Sequence, residues 1–298
     1  MKVSVVIPTF NGAHRIGNLL RSLSEQTVLP DEIVVVVDGS TDDTQKVLAD
    51  WQKQLPYLKV VVQRNQGRSV VRNAGAAAAS GELLVFFDDD VTLTSGCLAM
   101  HLSHHERFPG SLLTGPAQDC ILDTDFRLYK ASLGDKWTRP LLAWEDKPLP
   151  RELIFITAAN FSVARDELLR LGGFNAQLKD AEDFELAVRA YQQSLPIYFN
   201  AKALIWHHDP VTIRTYTKRL QQYRRAHFSL VAVNPYLYEL MPEWRPFTPA
   251  GLKKWMFRFF ARPIWLSFAE SGLFRTIVPP SLRYRLYNYI TTAFSFRS

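Results

Sequence analysis

The chain opens with a short apolar run, Val3-Ser4-Val5-Val6-Ile7, that is followed at once by Pro8-Thr9-Phe10-Asn11-Gly12. A short run rich in β-branched residues and closed by Pro and Gly is typical of a buried strand that ends in a turn. Runs of the same kind occupy residues 33–37, 59–62 and 83–87. We therefore predict a series of buried strands in the first third of the chain.

Helical periodicity separates these runs. The spacing i, i+3, i+4, i+7, which covers one face of a helix, is followed by Ile16, Leu19, Leu20 and Leu23. A second apolar stripe begins at Val47, with Ser40 as the predicted N-cap, and a third helix is predicted over residues 69–79. Because strands and helices alternate, we predict an α/β fold with a mainly parallel sheet flanked by helices.

The rest of the chain is less regular. Extended segments are predicted at residues 112–117 and 154–160, and short strands near Ile197 and Leu204. A long loop is predicted over residues 134–150, which contain several Pro, Trp and charged residues. Further helices are predicted at residues 165–171, 181–193 and 213–233. We assign residues 1–235 to one α/β domain and residues 236–298 to a C-terminal helical extension.

The composition is that of an ordinary globular protein, because 47% of the residues are hydrophobic and 21% are charged. The apolar run after Met1 is too short for the core of a secretion signal. The two cysteines, Cys97 and Cys120, show no metal-ligand or redox spacing, which argues against a disulfide scaffold. We therefore predict a cytoplasmic protein.

The net charge of +6 is concentrated in the C-terminal extension. From residue 245 onward Glu270 is the one acid, and the basic residues are Arg245, Lys253, Lys254, Arg258, Arg262, Arg275, Arg283, Arg285 and Arg297. Between residues 252 and 268 the basic residues alternate with Trp and Phe, a mixture typical of a helix that lies in a membrane interface. Two alternatives stay open: peripheral binding to an anionic membrane surface, or packing against the body of the protein. No recognisable module indicates nucleic acid binding.

Polar residues follow the predicted strands. They form the groups Pro8-Thr9-Phe10-Asn11-Gly12, Asp38-Gly39-Ser40 and Asp88-Asp89-Asp90. Each group alone is also typical of a turn or a helix cap. Since ligands bind beyond the carboxyl ends of parallel strands, however, the three groups are expected to meet at one edge of the sheet. Three adjacent carboxylates repel one another unless a cation neutralises them, so we predict a divalent metal, Mn²⁺ or Mg²⁺.

Other phosphate-binding devices are missing from the sequence. No G-x-G-x-x-G follows the first predicted strand, and no G-x-x-x-x-G-K-[ST] occurs. These absences argue against dinucleotide-dependent enzymes and P-loop NTPases.

Ordered motifs carry a resemblance to a known family. They are the run from Val3 to Asn11, Val37-Asp38-Gly39-Ser40-Thr41-Asp42, Arg72-Asn73-Ala74-Gly75 with Gly81-Glu82, Phe87-Asp88-Asp89-Asp90, and Gly172-Gly173-Phe174-Asn175 with Glu182-Asp183. In this order they resemble the inverting family 2 glycosyltransferases, from Met1 to about His208. The resemblance implies the GT-A fold, a Rossmann-like nucleotide-binding half joined to an acceptor-binding half. It also implies transfer of a sugar, most often from UDP, with inversion.

The resemblance implies a nucleotide site at the three strand ends. The residues implied to form it are Pro8, Thr9, Asn11, Asp38, Arg72 and Asp88. Asp38 and Arg72 would contact the base, and an Asp carboxylate suits a uracil ring N–H. Asp88 would lie near the ribose.

The resemblance implies that Asp90 binds the metal, as the last member of a D-x-D pattern. Asp89 is the variable middle position and is predicted to be solvated. His207 is predicted to complete the metal or diphosphate site; adjacent His208 would point to the opposite face of its strand, and a structural role before Pro210 is the alternative. Arg68 either reaches the diphosphate or is an exposed residue at a helix start.

Glu182-Asp183 is implied to supply the general base, with Asp183 deprotonating the acceptor hydroxyl. Acidic residues are also common in the first turn of a helix, so a structural role is the alternative. The acceptor is predicted to be a glycan, a lipid-linked sugar or another hydroxyl, as in synthesis of a cell-envelope polysaccharide. The rival functions are a catalytically silent protein that binds nucleotide sugars, and a nucleotidyl or phosphoryl transferase.

Overall fold

The computed structural model describes residues 1–208 and 210–297. The chain divides into two compact units. Unit 1 comprises Met1–Cys120 and Lys136–His208, and unit 2 comprises Ile121–Asp135 and Asp209–Ser298. The division predicted at residue 235 lies inside unit 2, directly after a helix whose Ile213 belongs to the core of that unit.

Strands and helices alternate through unit 1, and helices make up most of unit 2. In the described part of the chain the strands are β1 Val3–Thr9, β2 Glu32–Asp38, β3 Leu58–Gln63, β4 Leu83–Phe87, β5 Val91–Leu93, β6 Leu112–Thr114, β7 Ala117–Asp119, β8 Asn160–Ala164, β9 Ile197–Phe199 and β10 Ile205–His207. The α-helices are α1 Ile16–Ser24, α2 Thr44–Gln52, α3 Arg68–Ala78, α4 Cys97–Arg107, α5 Asp125–Thr138, α6 Arg165–Arg170, α7 Glu182–Gln192, α8 Ile213–Val233, α9 Leu237–Leu240, α10 Gly251–Phe260, α11 Pro263–Glu270, α12 Gly272–Ile277 and α13 Pro280–Ser295. Short 3-10 helices occupy Arg139–Trp144, Arg151–Leu153 and Pro242–Trp244.

The central sheet has the strand order β3-β2-β1-β4-β8-β6-β9. The first four of these strands are parallel, with Val5 opposite Ile33 on one side and Val85 on the other. β8 runs antiparallel between β4 and β6, and a smaller sheet has the order β5-β10-β7. The predicted mainly parallel α/β sheet and its early strands are confirmed. The carboxyl ends of β1, β2 and β4 consequently lie at one edge.

Tight packing of α3 on the sheet explains one glycine of the Arg72-Asn73-Ala74-Gly75 motif. A Cβ atom on Gly75 would lie 2.4 Å from Val6 Cγ1, so a larger side chain would push the helix away from β1. Asn73 links the same helix to a distant loop, because its side chain donates to Phe174 O and accepts from Phe174 N, both at 2.8 Å. The motif therefore fixes α3 between the sheet and the residues that precede α7.

Three predictions of local structure are wrong. α2 begins at Thr44, after an N-cap residue Asp43 that makes no side-chain cap, and Ser40 instead accepts a hydrogen bond from Asn11 N. Residues 134–150 include the end of α5 and a 3-10 helix rather than forming one loop. Most of residues 154–160 lies outside a strand, since β8 begins at Asn160. The predicted extended segment at residues 112–117 is confirmed as β6 and the start of β7, although these two strands belong to different sheets.

Three histidines of α4 are buried behind the sheet of unit 1. His101 bonds through Nδ1 to Ser162 Oγ at 2.8 Å and through Nε2 to Asn160 Oδ1 at 3.0 Å. His105 Nε2 reaches the same hydroxyl at 2.8 Å, while burial lowers the pKa values of His101 and His104 to about 4 and that of His105 to about 3. At neutral pH all three are therefore uncharged members of the core.

Unit 2 has its own aromatic core, in which α5 takes part. Phe126 and Tyr129 of α5 pack edge-on or tilted against Tyr287 of α13, with ring centroids 5.2 and 5.4 Å apart. Asp125 accepts from Arg283 at 3.0 Å and from the Tyr287 hydroxyl at 3.1 Å. Among the described residues, no helix combines the length and apolarity required to cross a membrane.

Candidate active site

A cavity of about 380 Å³ lies in unit 1 at the carboxyl ends of β1, β2 and β4. Its lining consists of Pro8, Thr9, Phe10, Arg15, Asp38, Asn65, Gly67, Arg68, Val71, Arg72, Asp88, Asp89 and Asp90. The three polar groups predicted to meet at this edge therefore do meet. Phe10, 46% exposed, belongs to the first of these groups and lines the cavity beside Thr9, although the resemblance gave it no role.

The turn after β2 is stabilised by the carboxylate of Asp38, at the end of β2, and by Asn11, in the loop after β1. Asp38 accepts hydrogen bonds from Gln63 Nε2 at 2.7 Å and from the backbone N–H groups of Gln66 and Gly67 at 3.0 Å. Asn11 does not line the cavity; its Oδ1 accepts from Thr41 N at 2.8 Å. Asn11 thus fixes the turn that carries Asp38.

The prediction that Asp89 is solvated is wrong. Asp89 is 6% exposed, accepts from Thr9 Oγ1 at 2.5 Å and forms an ion pair with Arg15 Nε at 2.9 Å. A Cβ atom on Gly12 would lie 2.6 Å from Asp89 Oδ2, so the glycine leaves room for this carboxylate. Burial raises the pKa of Asp89 to about 6 despite Thr9 and Arg15. Arg15 was missed, although a carboxylate run of this kind needs a nearby cation.

Asp88 points toward a buried guanidinium. Arg72 Nη2 lies 2.7 Å from Asp88 Oδ1, and Arg72 Nη1 lies 2.5 Å from Glu182 Oε1. Burial works against ionisation of Asp88, but the charge and hydrogen bond of Arg72 outweigh it and lower the pKa of Asp88. Arg72 and Glu182 are each 3% exposed. The guanidinium of Arg72 thus already binds these two carboxylates. Its predicted contact with a nucleotide base stays a prediction.

Asp183 follows Glu182 at the start of α7. Ala181, directly before them, has the left-handed φ of 58°, which is uncommon for a residue other than Gly, Asn or Asp. Asp183 Oδ1 accepts from Phe184 N at 2.8 Å, whereas Oδ2 has a longer contact of 3.5 Å with Ala158 N. Burial and the neighbouring charge of Glu182 raise the pKa of Asp183 to about 6. The carboxylate therefore supports the helix start with one oxygen and is a stronger base than an ordinary Asp.

Asp90 directly precedes β5, and His207 is the last residue of β10, the strand that pairs antiparallel with β5. His207 Nε2 lies 3.5 Å from Asp90 Oδ1, a buried oxygen that has no hydrogen-bond partner within the described residues. No group of three His, Cys, Asp or Glu side chains in the described chain is arranged to hold a metal ion by itself. Two ligands still fit a hard divalent cation, because such ions commonly complete their coordination with water and substrate phosphates.

His208 points elsewhere, as the alternation of side chains along a strand predicts. Its Nε2 lies 2.7 Å from Thr92 Oγ1, and its Nδ1 lies 3.1 Å from the Sγ atom of Cys120. Arg68 lines the cavity and pairs with Asp180 at 3.4 Å, so its two predicted alternatives both remain open.

Comparison with known proteins agrees with this geometry. A family model described as "Glycosyl transferase family 2" matches residues 4–169. The GalNAc(5)-diNAcBac-PP-undecaprenol beta-1,3-glucosyltransferase of Campylobacter jejuni is 38% identical over 100 residues, which make up 33% of this chain and 32% of that protein. The chain spans less than a third of the length of that relative and of two further curated ones.

Solved structures share the fold over almost the whole chain. A mannosyltransferase from Pyrobaculum calidifontis has a TM-score of 0.65 and 19% identity, with 98% of this chain and 85% of that chain covered. TarS 1–349 of S. aureus has a TM-score of 0.56 and 18% identity, with 99% and 90% covered. The predicted GT-A fold and enzyme class are thereby confirmed. Because the family model covers more than half of its residues, the chain belongs to glycosyl transferase family 2.

Proposed function

We propose that this chain is an inverting glycosyltransferase that moves a sugar from a nucleotide sugar to an acceptor hydroxyl. The observation that carries the proposal is the meeting of Asp88 and Asp90 with the Arg72–Glu182 ion pair at the cavity. Asp183 is the next residue after Glu182, so a carboxylate of raised pKa adjoins the same network. Glu182 and Asp183 are not among the residues that line the cavity, but the bonds of Arg72 link Asp88 at the cavity to Glu182, beside the group suited to a proton.

The donor is proposed to be a UDP-sugar. Pro8, Thr9 and Asp38 line the cavity, and a carboxylate oxygen of Asp38 suits the ring N–H of uracil. Among the structural neighbours, TarS was solved with UDP-GlcNAc and the mannosyltransferase with GDP-Man and Mn2+. Both donors are nucleoside diphosphate sugars, which supports the donor class.

Asp90 and His207 are proposed to hold a divalent cation, Mn²⁺ or Mg²⁺. Asp90 Oδ1 fits this role because it is buried and unsatisfied, 3.5 Å from His207 Nε2. When bound, such an ion acts as a Lewis acid that offsets the charge developing on the leaving diphosphate. The mannosyltransferase solved with Mn2+ supports the cofactor class.

Asp183 is proposed to take the proton of the acceptor hydroxyl. As that oxygen bonds to the anomeric carbon, the bond from this carbon to the diphosphate oxygen breaks on the opposite side, and the diphosphate leaves with its electron pair. A pKa of about 6 keeps most Asp183 side chains ionised at neutral pH while making them better proton acceptors than an ordinary Asp. Arg72 fixes Glu182, and through it the start of the helix that carries the base.

The acceptor is proposed to be a lipid-linked glycan of the cell envelope. The Campylobacter jejuni relative supports this class, because its name gives an undecaprenol-linked acceptor. Cys97 and Cys120 are unpaired, which suits a reducing cytoplasm as the place of the reaction.

A panel of nucleotide sugars with Mn²⁺ or Mg²⁺ tests the proposal. One donor should release its nucleoside diphosphate in a metal-dependent manner, slowly to water and faster when an acceptor is present. Release of pyrophosphate would identify a nucleotidyl transferase instead. Tight donor binding without any release would identify a catalytically silent binding protein.

A further inference from the structure

One face of α10 exposes apolar side chains. Leu252, Trp255 and Phe259 are 86%, 69% and 46% exposed, and their spacing of three and four residues puts them on one side of the helix. Phe257, on the other side, is 6% exposed and stacks on Phe296 with ring centroids 4.9 Å apart. The helix is therefore anchored within unit 2 while Leu252, Trp255 and Phe259, here called the α10 row, face solvent.

Basic side chains flank the α10 row. They are Lys254, Arg258 and Arg262, whereas Lys253 lies on the side of the helix that carries Phe257, with its Nζ 5.5 Å from the ring centroid of Phe247. The guanidinium of Arg258 lies 5.5 Å from the ring centroid of Trp255, and that of Arg262 lies 5.6 Å from that of Phe259. Across residues 1–208 and 210–297, no carboxylate lies within ion-pair distance of these four side chains; Glu270, the acid nearest in sequence to Arg258 and Arg262, pairs with Arg214 at 2.8 Å. The positive charge of this surface is thus left for an external partner.

The apolar surface continues into α11. Trp265 contacts Phe259 with ring centroids 5.1 Å apart, and its neighbour Ile264 is 69% exposed. The predicted single segment over residues 252–268 is in fact two helices, because Pro263 occupies the first turn of α11. α10 has 10 residues and a length of about 15 Å, half of what a bilayer core of about 30 Å requires.

We propose that the α10 row and its basic flank bind the surface of a lipid bilayer that contains anionic headgroups. Trp and Phe would enter the interface while Lys and Arg contact the headgroups, the arrangement of an in-plane amphipathic helix. A second copy of this chain fits less well, because a twofold contact between two copies of this surface would bring positive charges together. The inference deepens the proposed function. Membrane binding itself does not depend on that function, and only the link between this surface and a lipid-linked acceptor rests on it.

Co-sedimentation of the full chain with vesicles tests the surface. The first vesicles contain phosphatidylcholine and phosphatidylglycerol in equal parts, and the second contain phosphatidylcholine alone. We expect binding to the first that weakens at high salt, and at least about tenfold weaker binding to the second. The triple variant Leu252→Ser/Trp255→Ser/Phe259→Ser and the charge variant Lys253→Glu/Lys254→Glu should each lose about tenfold or more in affinity.

The matched control is Leu142→Ser/Leu169→Ser, which changes leucines of 53% and 56% exposure outside α10 and should bind like wild type. Circular dichroism melting checks that the variants are folded. Equal binding by the triple variant, equal binding to both vesicle types, or no vesicle binding by wild type would overturn the proposal. The proposal would also be overturned if the wild-type chain formed a dimer in the absence of lipid and the triple variant were a monomer.

Nucleoside diphosphate release in lipid-free solution separates the two proposals. It should be unchanged in the triple variant, whereas vesicle binding should be unchanged in Asp183→Asn.

Discussion

The guanidinium of Arg72 lies 2.5 Å from Glu182 Oε1, and both side chains are buried although 110 residues separate them in sequence. A second hydrogen bond from Arg72 reaches Asp88 at 2.7 Å. The pair therefore joins the proposed donor site in the cavity to the helix that carries the proposed base. A buried ion pair of this kind is expensive to break, because the remaining charge is left without a partner.

Arg72→Ala should destabilise the protein by about 3–5 kcal/mol, since Glu182 would stay buried and unpaired. The matched control is Arg107→Ala, because Arg107 pairs with Asp146 at the surface; its removal should cost about 0–1 kcal/mol. Urea unfolding measures both values. Equal losses in the two variants would contradict a special role for the buried pair.

Asp183→Asn should reduce sugar transfer by about 10²–10⁴-fold, because Asn keeps the shape and the hydrogen bond but cannot accept the proton. Donor affinity, measured by calorimetry, should hardly change. If Asp183 only supports the helix start, transfer will survive in this variant, and Glu182 or Asp180 becomes the next candidate for the base.

The pH dependence of kcat/KM should report the raised pKa of Asp183. The base works only when ionised, so activity should fall about tenfold per pH unit below pH 6 and level off above it. An acid limb near pH 4, the ordinary range for an Asp, would contradict this assignment. A circular dichroism spectrum at each pH distinguishes loss of the base from loss of the fold.

Asp90→Ala should abolish the enhancement of UDP binding by Mn²⁺ without weakening the fold, because the variant removes an oxygen that makes no hydrogen bond within the described residues. Calorimetric titration of UDP with and without Mn²⁺ measures the effect. Asp166→Ala, which changes an exposed carboxylate of α6, is the control and should keep it. Persistence of metal-dependent binding in Asp90→Ala would exclude Asp90 as a ligand.

Acidification should weaken the fold through the three histidines of α4. Their pKa values are about 3 to 4 in the folded protein but about 6.5 when exposed, so between these values the unfolded chain binds more protons. Stability is therefore retained above pH 6.5 and lost progressively below it, by about 1–2 kcal/mol for each histidine at pH 5. Urea unfolding from pH 7 to pH 5 measures this loss. His105→Gln should reduce the slope, whereas His14→Gln, at an exposed position, should leave it unchanged.

The edge of the sheet was predictable because its signals are local. β1, β2 and β4 are short apolar runs, each closed by polar residues, and parallel strands bring such ends together. The bonds of Arg72 to Glu182 and of Arg15 to Asp89 were not predictable, since each joins residues far apart in sequence. Asp89 illustrates the difference: its middle position in the D-x-D pattern suggested contact with solvent, whereas its burial depends on Thr9 and Arg15.

The errors in the middle of the chain have a related cause. α5 is weakly amphipathic and was mistaken in part for a loop, because what stabilises it is the ring of Tyr287 and the charge of Arg283, both more than 150 residues away. The break between α10 and α11 is different, since Pro263 marks it in the sequence.

The participation of α5 in unit 2 limits how the chain can be shortened or recombined. A truncation after His208 would remove α8 and α13 but retain Phe126 and Tyr129, which are 7% and 2% exposed in the intact protein. Those two rings would then lose their packing partners and be exposed on a chain that must remain in solution. A chimaera that exchanges the C-terminal helices must therefore also exchange residues 121–135, so that both segments of the chain come from the same parent protein.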